Sequence, residues 1–379
     1  MKTLALNPPY LKNYSRQSRS PAITKGGTTY YPYFLAYMTS ALEKAGFDVE
    51  LVDAVARGWN RGQTIEYIGE YRPNLVVIDT STPSIYNDIK VAEAIKKALP
   101  EAFIVLVGTH PSNLPNETLK LSKKVDAVVV GEYDYTVRDL AKVLKDKKSL
   151  KGVNGLVFRE KEKIITNKPR ERIKNLDELP FVSEVYKKHL NVRDYFYSSV
   201  RYPQVTILTA RGCPYSCSFC NSPFKKSYRP RSIENVVEEF LWIQENLPEV
   251  KEVMIEDETF PAVKKRTMEL CNLMIERGVK LKWSCNARVD TDIETLKKMK
   301  EAGCRLLCVG FESPEQKKLD DIQKRTTKEM QIEFMKNTRE VGLLVNGCFI
   351  LGLPGETKES MQKTIDFAKE LSTDTAQFY

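Results

Sequence analysis

Histidine and cysteine are scarce in this chain: two histidines, His110 and His189, and eight cysteines among 379 residues. No apolar stretch reaches the length of a membrane span, which excludes an apolar transmembrane helix as the reading of any segment. The opening MKTLALNPPY meets a proline pair before an apolar core develops, so no secretory leader is expected there. A cytoplasmic, reducing location follows as an expectation, and in such a place cysteines serve as ligands or buried hydrophobes rather than as disulfides. No G-x-G-x-x-G follows the first strand-like run and no G-x-x-x-x-G-K-S/T occurs, which argues against a dinucleotide or a P-loop nucleotide. The basic runs lack regular aromatic interleaving. The net charge of +9, from 59 basic and 50 acidic side chains, therefore reads as a lysine-rich surface rather than a nucleic-acid groove. It stays compatible with a phosphate-bearing cofactor or with peripheral contact to a membrane surface.

With 42% hydrophobic residues and only 18 Gly and 19 Pro, the chain is globular and too long for one ordinary domain. From Thr3 to about Leu144, the runs TLALN, DVELVDA, LVVIDT, FIVLVGTH and AVVVGE alternate with helix-like stretches at about 34–46, 61–71, 87–98, 116–123 and 135–145. Continuous apolar runs suit parallel strands buried on both faces, so residues 1–148 are expected to form a doubly wound α/β domain. Ligands of such sheets sit beyond the carboxyl ends of the strands. Those ends carry Asn7-Pro8-Pro9, Thr80-Ser81-Thr82, Gly108-Thr109-His110 and Gly131-Glu132. Residues 149–200, with the polar hairpin NGLVFREKEKIITNKPRERI, read as a linker. From residue 201 the alternation resumes as VTILTAR, EVMIED, KWSCNA, LLCVGF, LVNGCFILG and TAQFY, with helices expected at about 232–246, 263–278, 292–302, 328–341 and 358–371. Six β/α steps predict a partial barrel over 201–379, apparently cut at its last strand.

Chemistry gathers at the predicted carboxyl ends of the second set of strands. They carry Cys213, Cys217 and Cys220; Glu256-Asp257-Glu258; Ser284, Asn286 and Arg288; Glu312-Ser313; and Gly352-Leu353-Pro354-Gly355-Glu356. That rim is where (β/α) barrels assemble active sites. Three thiols at offsets of four and seven are a poor product of chance. A structural zinc site, the rival reading, wants four closed ligands and usually two separated pairs. Three thiolates on one loop suit a [4Fe-4S] cluster that leaves one iron open.

The stretch C-x3-C-x-F-C resembles the signature of the radical S-adenosylmethionine (SAM) enzymes. The resemblance implies that Cys213, Cys217 and Cys220 hold the cluster and that SAM chelates the fourth iron through its amino and carboxylate groups. SAM is then cleaved reductively to methionine and a 5′-deoxyadenosyl radical. It also implies that Phe219 lies near the adenine, that the run Glu256 to Glu258 meets the SAM amino group, and that Asn286 and Glu312 lie near the ribose. Ile350, Gly352 and Pro354 fall on the adenine-proximal strand, with Cys348 where that motif often begins with Gly. A doubly wound domain before such a barrel is similar to the cobalamin-binding domain of the B12-dependent group. Its D-x-H-x-x-G motif is absent, so cobalamin is expected without a histidine from the protein beneath cobalt. Asn7, Pro8, Thr80, Ser81, Thr82, Gly108, Thr109, His110, Gly131 and Glu132 would cradle it, the alternative being an edge that is empty or holds substrate. LNPP, TSTPS, WSCNA and FILGLPGET resemble the branch associated with hopanoid biosynthesis and its archaeal membrane-lipid relatives, which implies ring-forming rearrangement of a sugar-like lipid headgroup.

The first expectation is thus an oxygen-sensitive enzyme that forms a carbocycle on a lipid headgroup. The second is a cobalamin-dependent methyltransferase acting on an unactivated carbon, and a zinc-stabilised binding module is the outsider. A low-potential ferredoxin or flavodoxin is the implied electron donor, and Lys225, Lys226 and Arg229 would ease electron entry. Cys271 and Cys304 read as core; Cys285, Cys308 and Cys348 read as core or as an inward hydrogen donor. The aromatic stretch from Thr28 to Met38 reads either as a hydrophobic mouth or as the core face of the first helix. Glu258 is a candidate for proton transfer, and the three carboxylates are not ranked by sequence.

Overall fold

Runs of Val, Ile and Leu at the start of the chain pair side by side, because strands apolar on both faces are stable only between two helical layers. The computed structural model describes residues 1–17, 21–23, 26–220, 222, 224 and 226–379, so Lys225 lies outside the described residues. These fold as two units, Met1–Lys174 with Glu178–Ser198, and Asn175–Asp177 with Ser199–Tyr379.

The first unit is built on β1 (Lys2–Asn7), β2 (Asp48–Asp53), β3 (Leu75–Thr80), β4 (Phe103–Gly108) and β5 (Ala127–Val129). All five are parallel, in the order β2-β1-β3-β4-β5. The order reverses between β1 and β3, and such a switch point opens a crevice at the carboxyl ends. The helices are α1 (Tyr33–Lys44), α2 (Arg61–Tyr71), α3 (Ile85–Ala98), α4 (Thr109–Asn113), α5 (Pro115–Leu121), α6 (Asp134–Lys145) and α7 (Val182–His189). Asn60 and Gln63 close a reciprocal capping box that starts α2.

The expected linker 149–200 needs correction. Its hairpin, β6 (Leu156–Glu160) and β7 (Lys163–Thr166), extends the first sheet antiparallel from β5. Leu156, Val157 and Phe158 are buried there, and residues up to Ser198 belong with the first unit apart from Asn175–Asp177. The aromatic stretch resolves as core: Tyr31 is fully buried, its ring centroid 3.8 Å from that of Tyr195 and 4.2 Å from that of Tyr186.

The second unit carries β8 (Gln204–Ile207), β9 (Glu252–Ile255), β10 (Lys282–Ala287), β11 (Cys304–Glu312), β12 (Leu344–Phe349) and β13 (Thr375–Phe378), all parallel and neighbours in chain order. Between them run α8 (Ile233–Asn246), α9 (Lys264–Glu276), α10 (Ile293–Glu301), α11 (Gln316–Asp321), α12 (Lys328–Val341) and α13 (Lys358–Leu371). One face of this sheet is apolar and sealed, with Val253, Trp283, Leu307 and Phe311 fully buried. Alternate positions on the other face, Asn286, Cys308 and Asn346, keep 6–7% exposure, which marks the open side of the partial barrel.

Candidate active site

The cysteine loop leaves β8 through a turn that only glycine can make. Gly212 has φ +91°, and a Cβ there would run into the Ser227 carbonyl. A two-residue antiparallel bridge, Ala210–Arg211 with Arg229–Pro230, pins the ends of the loop. Glu258 clasps it from within: Oε2 accepts from the Gly212 N–H at 3.1 Å and Oε1 from the Ser222 hydroxyl at 2.9 Å. Cys213, Cys217 and Cys220 are free thiols, each partly exposed. The Ser222 N–H points at the Cys220 sulfur at 3.4 Å. Burial pushes the Cys213 thiol up, so its thiolate needs a positive partner.

Asp257 forms the base of the loop. It is buried, and its carboxylate accepts from the Thr209 N–H and hydroxyl, both at 2.6 Å, and from the Ala210 N–H at 3.1 Å. Burial still holds this carboxyl up at about 6. Its carbonyl accepts from Asn286 Nδ2 at 3.0 Å, which ties the end of β10 to the end of β9. Within the run Glu256 to Glu258, Asp257 and Glu258 hold the loop through these bonds, and Glu256 is 6% exposed.

The end of β11 closes the rim. Glu312, a non-glycine residue at φ +63°, pairs with Lys324 at 2.5 Å, and both side chains are buried. A side chain on Gly310 would collide with this pair. The ammonium of Lys324 lies 5.9 Å from the ring of Phe219, which is 42% exposed. The Ser218 N–H donates to the Ile322 carbonyl at 3.0 Å and the Ile350 N–H to the Glu312 carbonyl at 3.0 Å. Glu356 accepts from the Gly352 and Leu353 N–H groups at 2.6 and 2.8 Å, and the Pro354 carbonyl accepts from Lys318 at 3.0 Å. Direct contacts thus join several of the rim residues nominated by sequence, Glu258 with the cysteine loop, Asn286 with Asp257 and Ile350 with Glu312, whereas Ser284 bonds to Glu252 at the start of β9.

A second candidate edge lies at the switch point of the first unit. Asn7 is buried and donates from Nδ2 to Asp53 Oδ1 at 2.8 Å. Arg16 gives two N–H groups to Asp88, one at 2.6 Å, and its Nη1 to Asn7 Oδ1 at 2.9 Å and the Pro8 carbonyl at 2.7 Å. The Ser81 hydroxyl meets Tyr14 at 2.7 Å, and Ser84 donates to Asp88 at 2.6 Å. His110 Nδ1 lies 3.2 Å from the Thr82 hydroxyl, and burial lowers its basicity. Thr109 opens α4, the Gly131 N–H donates to Ser112 at 3.1 Å, and Glu132 accepts from the Ile173 N–H at 2.8 Å. His189 stands elsewhere in the unit, bonded to Glu43 at 3.0 Å.

The chain matches the Radical SAM superfamily over residues 207–368 and the B12 binding domain over residues 19–141. It is 35% identical over 355 residues to a protein of Pyrococcus horikoshii named as an uncharacterized methyltransferase, covering 93% of this chain and 76% of that one. The chain belongs to the B12-binding radical SAM family. It is also 30% identical to the anaerobic magnesium-protoporphyrin IX monomethyl ester cyclase of Cereibacter sphaeroides, over 92% of this chain but only 58% of that enzyme. The radical SAM methyltransferase TsrM of Kitasatospora setae, solved with cobalamin and a [4Fe-4S] cluster, shares the fold at a TM-score of 0.78 and 19% identity. That match covers 100% of this chain and 71% of TsrM.

With the family come its cofactors: a [4Fe-4S] cluster, SAM and cobalamin. The residues of this chain fit them. Cys213, Cys217 and Cys220 lie on one loop and each is partly exposed, as thiolates that would each take a different iron require. At the first edge, Gly108 has φ +112° and a Cβ there would strike the Thr80 carbonyl, while Asp79 Oδ1 and the Thr80 hydroxyl are buried without a partner. Tight backbone approach and orphaned polar atoms suit a large polar ligand.

Sequence reasoning missed Arg16, Asp79 and Asp88 at the first edge, and Lys324 and Arg266 at the second. Arg266 donates to the Thr209 and Arg231 carbonyls at 3.0 and 3.1 Å. The available signal was charge in apolar surroundings, as in LVVIDT, where Asp79 interrupts a fully buried strand. Cys271, Cys285 and Cys304 are core residues, and Cys308 accepts a weak bond from Asn346 at 3.8 Å. Among the described residues no helix is long and apolar enough to cross a membrane.

Proposed function

We propose that the chain is a cobalamin-dependent radical SAM methyltransferase acting on an unactivated carbon of a small-molecule substrate. The observation that carries this reading is the presence of both domain matches in a chain 35% identical to a protein named as a methyltransferase. Cys213, Cys217 and Cys220 would hold the [4Fe-4S] cluster and leave one of its irons to SAM. Bound together, the cofactors supply an electron that cleaves SAM and a carrier for its methyl group.

The protein's part is to hold and orient. Glu258 and Asp257 fix the cysteine loop, Glu256 faces the SAM amino group, and the exposed ring of Phe219 offers a stacking surface to the adenine. Asn286 and Glu312 serve the ribose, with Glu312 held in place by its ion pair to the Lys324 ammonium. Ile350, Gly352 and Pro354 border the adenine. In the first unit, Asn7, Pro8, Thr80, Ser81, Thr82, Gly108, Thr109, His110, Gly131 and Glu132 cradle cobalamin. Cobalamin would be held without the D-x-H-x-x-G histidine, which this chain lacks; His110 Nδ1 lies beside the Thr82 hydroxyl and His189 beside Glu43. A low-potential ferredoxin or flavodoxin in a reducing cytoplasm is the electron source.

Ring formation is the second reading, favoured by the 30% identity to a cyclase. Rearrangement of a sugar-like lipid headgroup finds no support in these relatives. Anaerobic turnover with SAM labelled in its methyl group tests the proposal: the label should appear in product. Formation of 5′-deoxyadenosine and product without label would refute methyl transfer.

A further inference from the structure

The cysteine loop stands on two feet, Thr209 where the chain has left β8 and Arg231 just before α8. The ladder above them, Ala210–Arg211 with Arg229–Pro230, is only two residues long, and so short a pair of strands is marginal by itself. The feet also meet directly, the Arg231 N–H donating to the Thr209 carbonyl at 2.9 Å. Arg266, in the first turn of α9, adds a cross-tie. Its Nη2 donates to the Thr209 carbonyl at 3.0 Å and to the Arg231 carbonyl at 3.1 Å, one hydrogen for each foot. Asp257 takes the donors of the same threonine, its N–H and its hydroxyl. Thr209 is fully buried, so its polar groups have no water to replace these partners.

We propose that Arg266 is a latch for the iron-sulfur cluster: by bridging the carbonyls of Thr209 and Arg231 it holds the feet of the loop together and sets how slowly the cluster is lost. The inference rests on the reading that Cys213, Cys217 and Cys220 hold that cluster. Cys213 follows Thr209 by four residues, so a foot that swings carries the first thiol with it. A cluster has fixed dimensions, and its three sulfurs keep their spacing only while the loop does. A planar, permanently charged fork suits two carbonyls better than a flexible ammonium would. Arg266 is a positioning residue: it acts through the backbone of the loop and takes no part in bond making.

The test is the rate at which bathophenanthroline disulfonate strips ferrous iron from the anaerobically reconstituted full chain, followed by the absorbance of the iron complex. Arg266→Met should speed the loss about tenfold, as expected of one hydrogen bond from a charged donor. Arg266→Lys should speed it less, since an ammonium keeps the charge but not the fork. Arg305→Lys is the comparison, because Arg305 also bonds a carboxylate and a carbonyl, those of Glu252 and Ser199, but at the start of β11. It should lower the thermal midpoint and leave the rate unchanged. Rates in both Arg266 variants equal to that of the unmodified chain would overturn the latch, and so would an equal acceleration by Arg305→Lys, because general loosening would then explain it. Should Arg266→Met not fold, Arg266→Lys is read against the same two outcomes. An unmodified chain that takes up no iron and sulfide would instead remove the ligand reading beneath the proposal.

Discussion

At the end of β1 and β3, the Arg16 guanidinium is sealed from solvent and shared among Asp88, Asn7 and Pro8. At the end of β8, three thiols stay partly exposed while the nearby carboxylates of Asp257 and Glu258 face inward, onto backbone N–H groups of their own loop. The first edge balances its charge internally and leaves neutral groups and backbone to meet a ligand. The second uses its charge to shape a loop whose thiols need metal from outside. One edge is thus built to cradle a preformed molecule, the other to complete an inorganic centre.

The largest break in this contrast is Cys217→Ala. Iron content and 5′-deoxyadenosine formation should fall to background, while corrinoid binding by the first unit persists; a variant that still cleaves SAM would refute the ligand assignment. Arg16→Leu attacks the other side. Leaving Asp88 buried and unpaired should destabilise the first unit by about 3–5 kcal/mol in denaturant unfolding, with the iron content of the folded fraction preserved.

The pH response should also differ between the units. Burial holds Asp79 up at about 7 and Asp257 up at about 6, so each folded unit binds its proton more tightly than the unfolded chain does. The contribution is complete in acid, below the ordinary carboxylate range, and is lost as pH rises through the folded value. For Asp79 the change is up to about 4 kcal/mol. Hydrogen exchange followed on β3 and β9 should show protection falling up to about pH 7 in the first and levelling near pH 6 in the second. Asp79→Asn should flatten only the first. The smallest effect expected is that of Phe219→Ala, which should raise the KM for SAM several-fold with little change in kcat, since an exposed ring adds binding surface rather than chemistry.

Much of this was legible in the residues. Parallel strands announce themselves by runs such as LVVIDT, and the ten expected helices form within two residues of their predicted bounds. Periodicity did not reveal the short helices α4, α7 and α11, which span only one or two turns. The cysteine loop was legible because its three thiols lie close in sequence. The Arg16–Asp88 pair was not, since its partners are 72 residues apart and only folding brings them together. The hairpin at 156–166 was read correctly as a hairpin, but its attachment to the first sheet depends on an edge at β5 that sequence does not display. Glu258 was nominated for proton transfer because carboxylates at a rim invite that reading; that it also accepts two bonds from the cysteine loop was not legible, since those partners lie 36 and 46 residues away.

Anaerobic purification with iron, sulfide and B12 available, followed by quantification of all bound cofactors, tests the central claim most directly. The account predicts about four iron, four sulfide and one cobalamin per chain, with the iron and sulfide lost and cobalamin retained in Cys217→Ala. One zinc per chain with no cobalamin would contradict it.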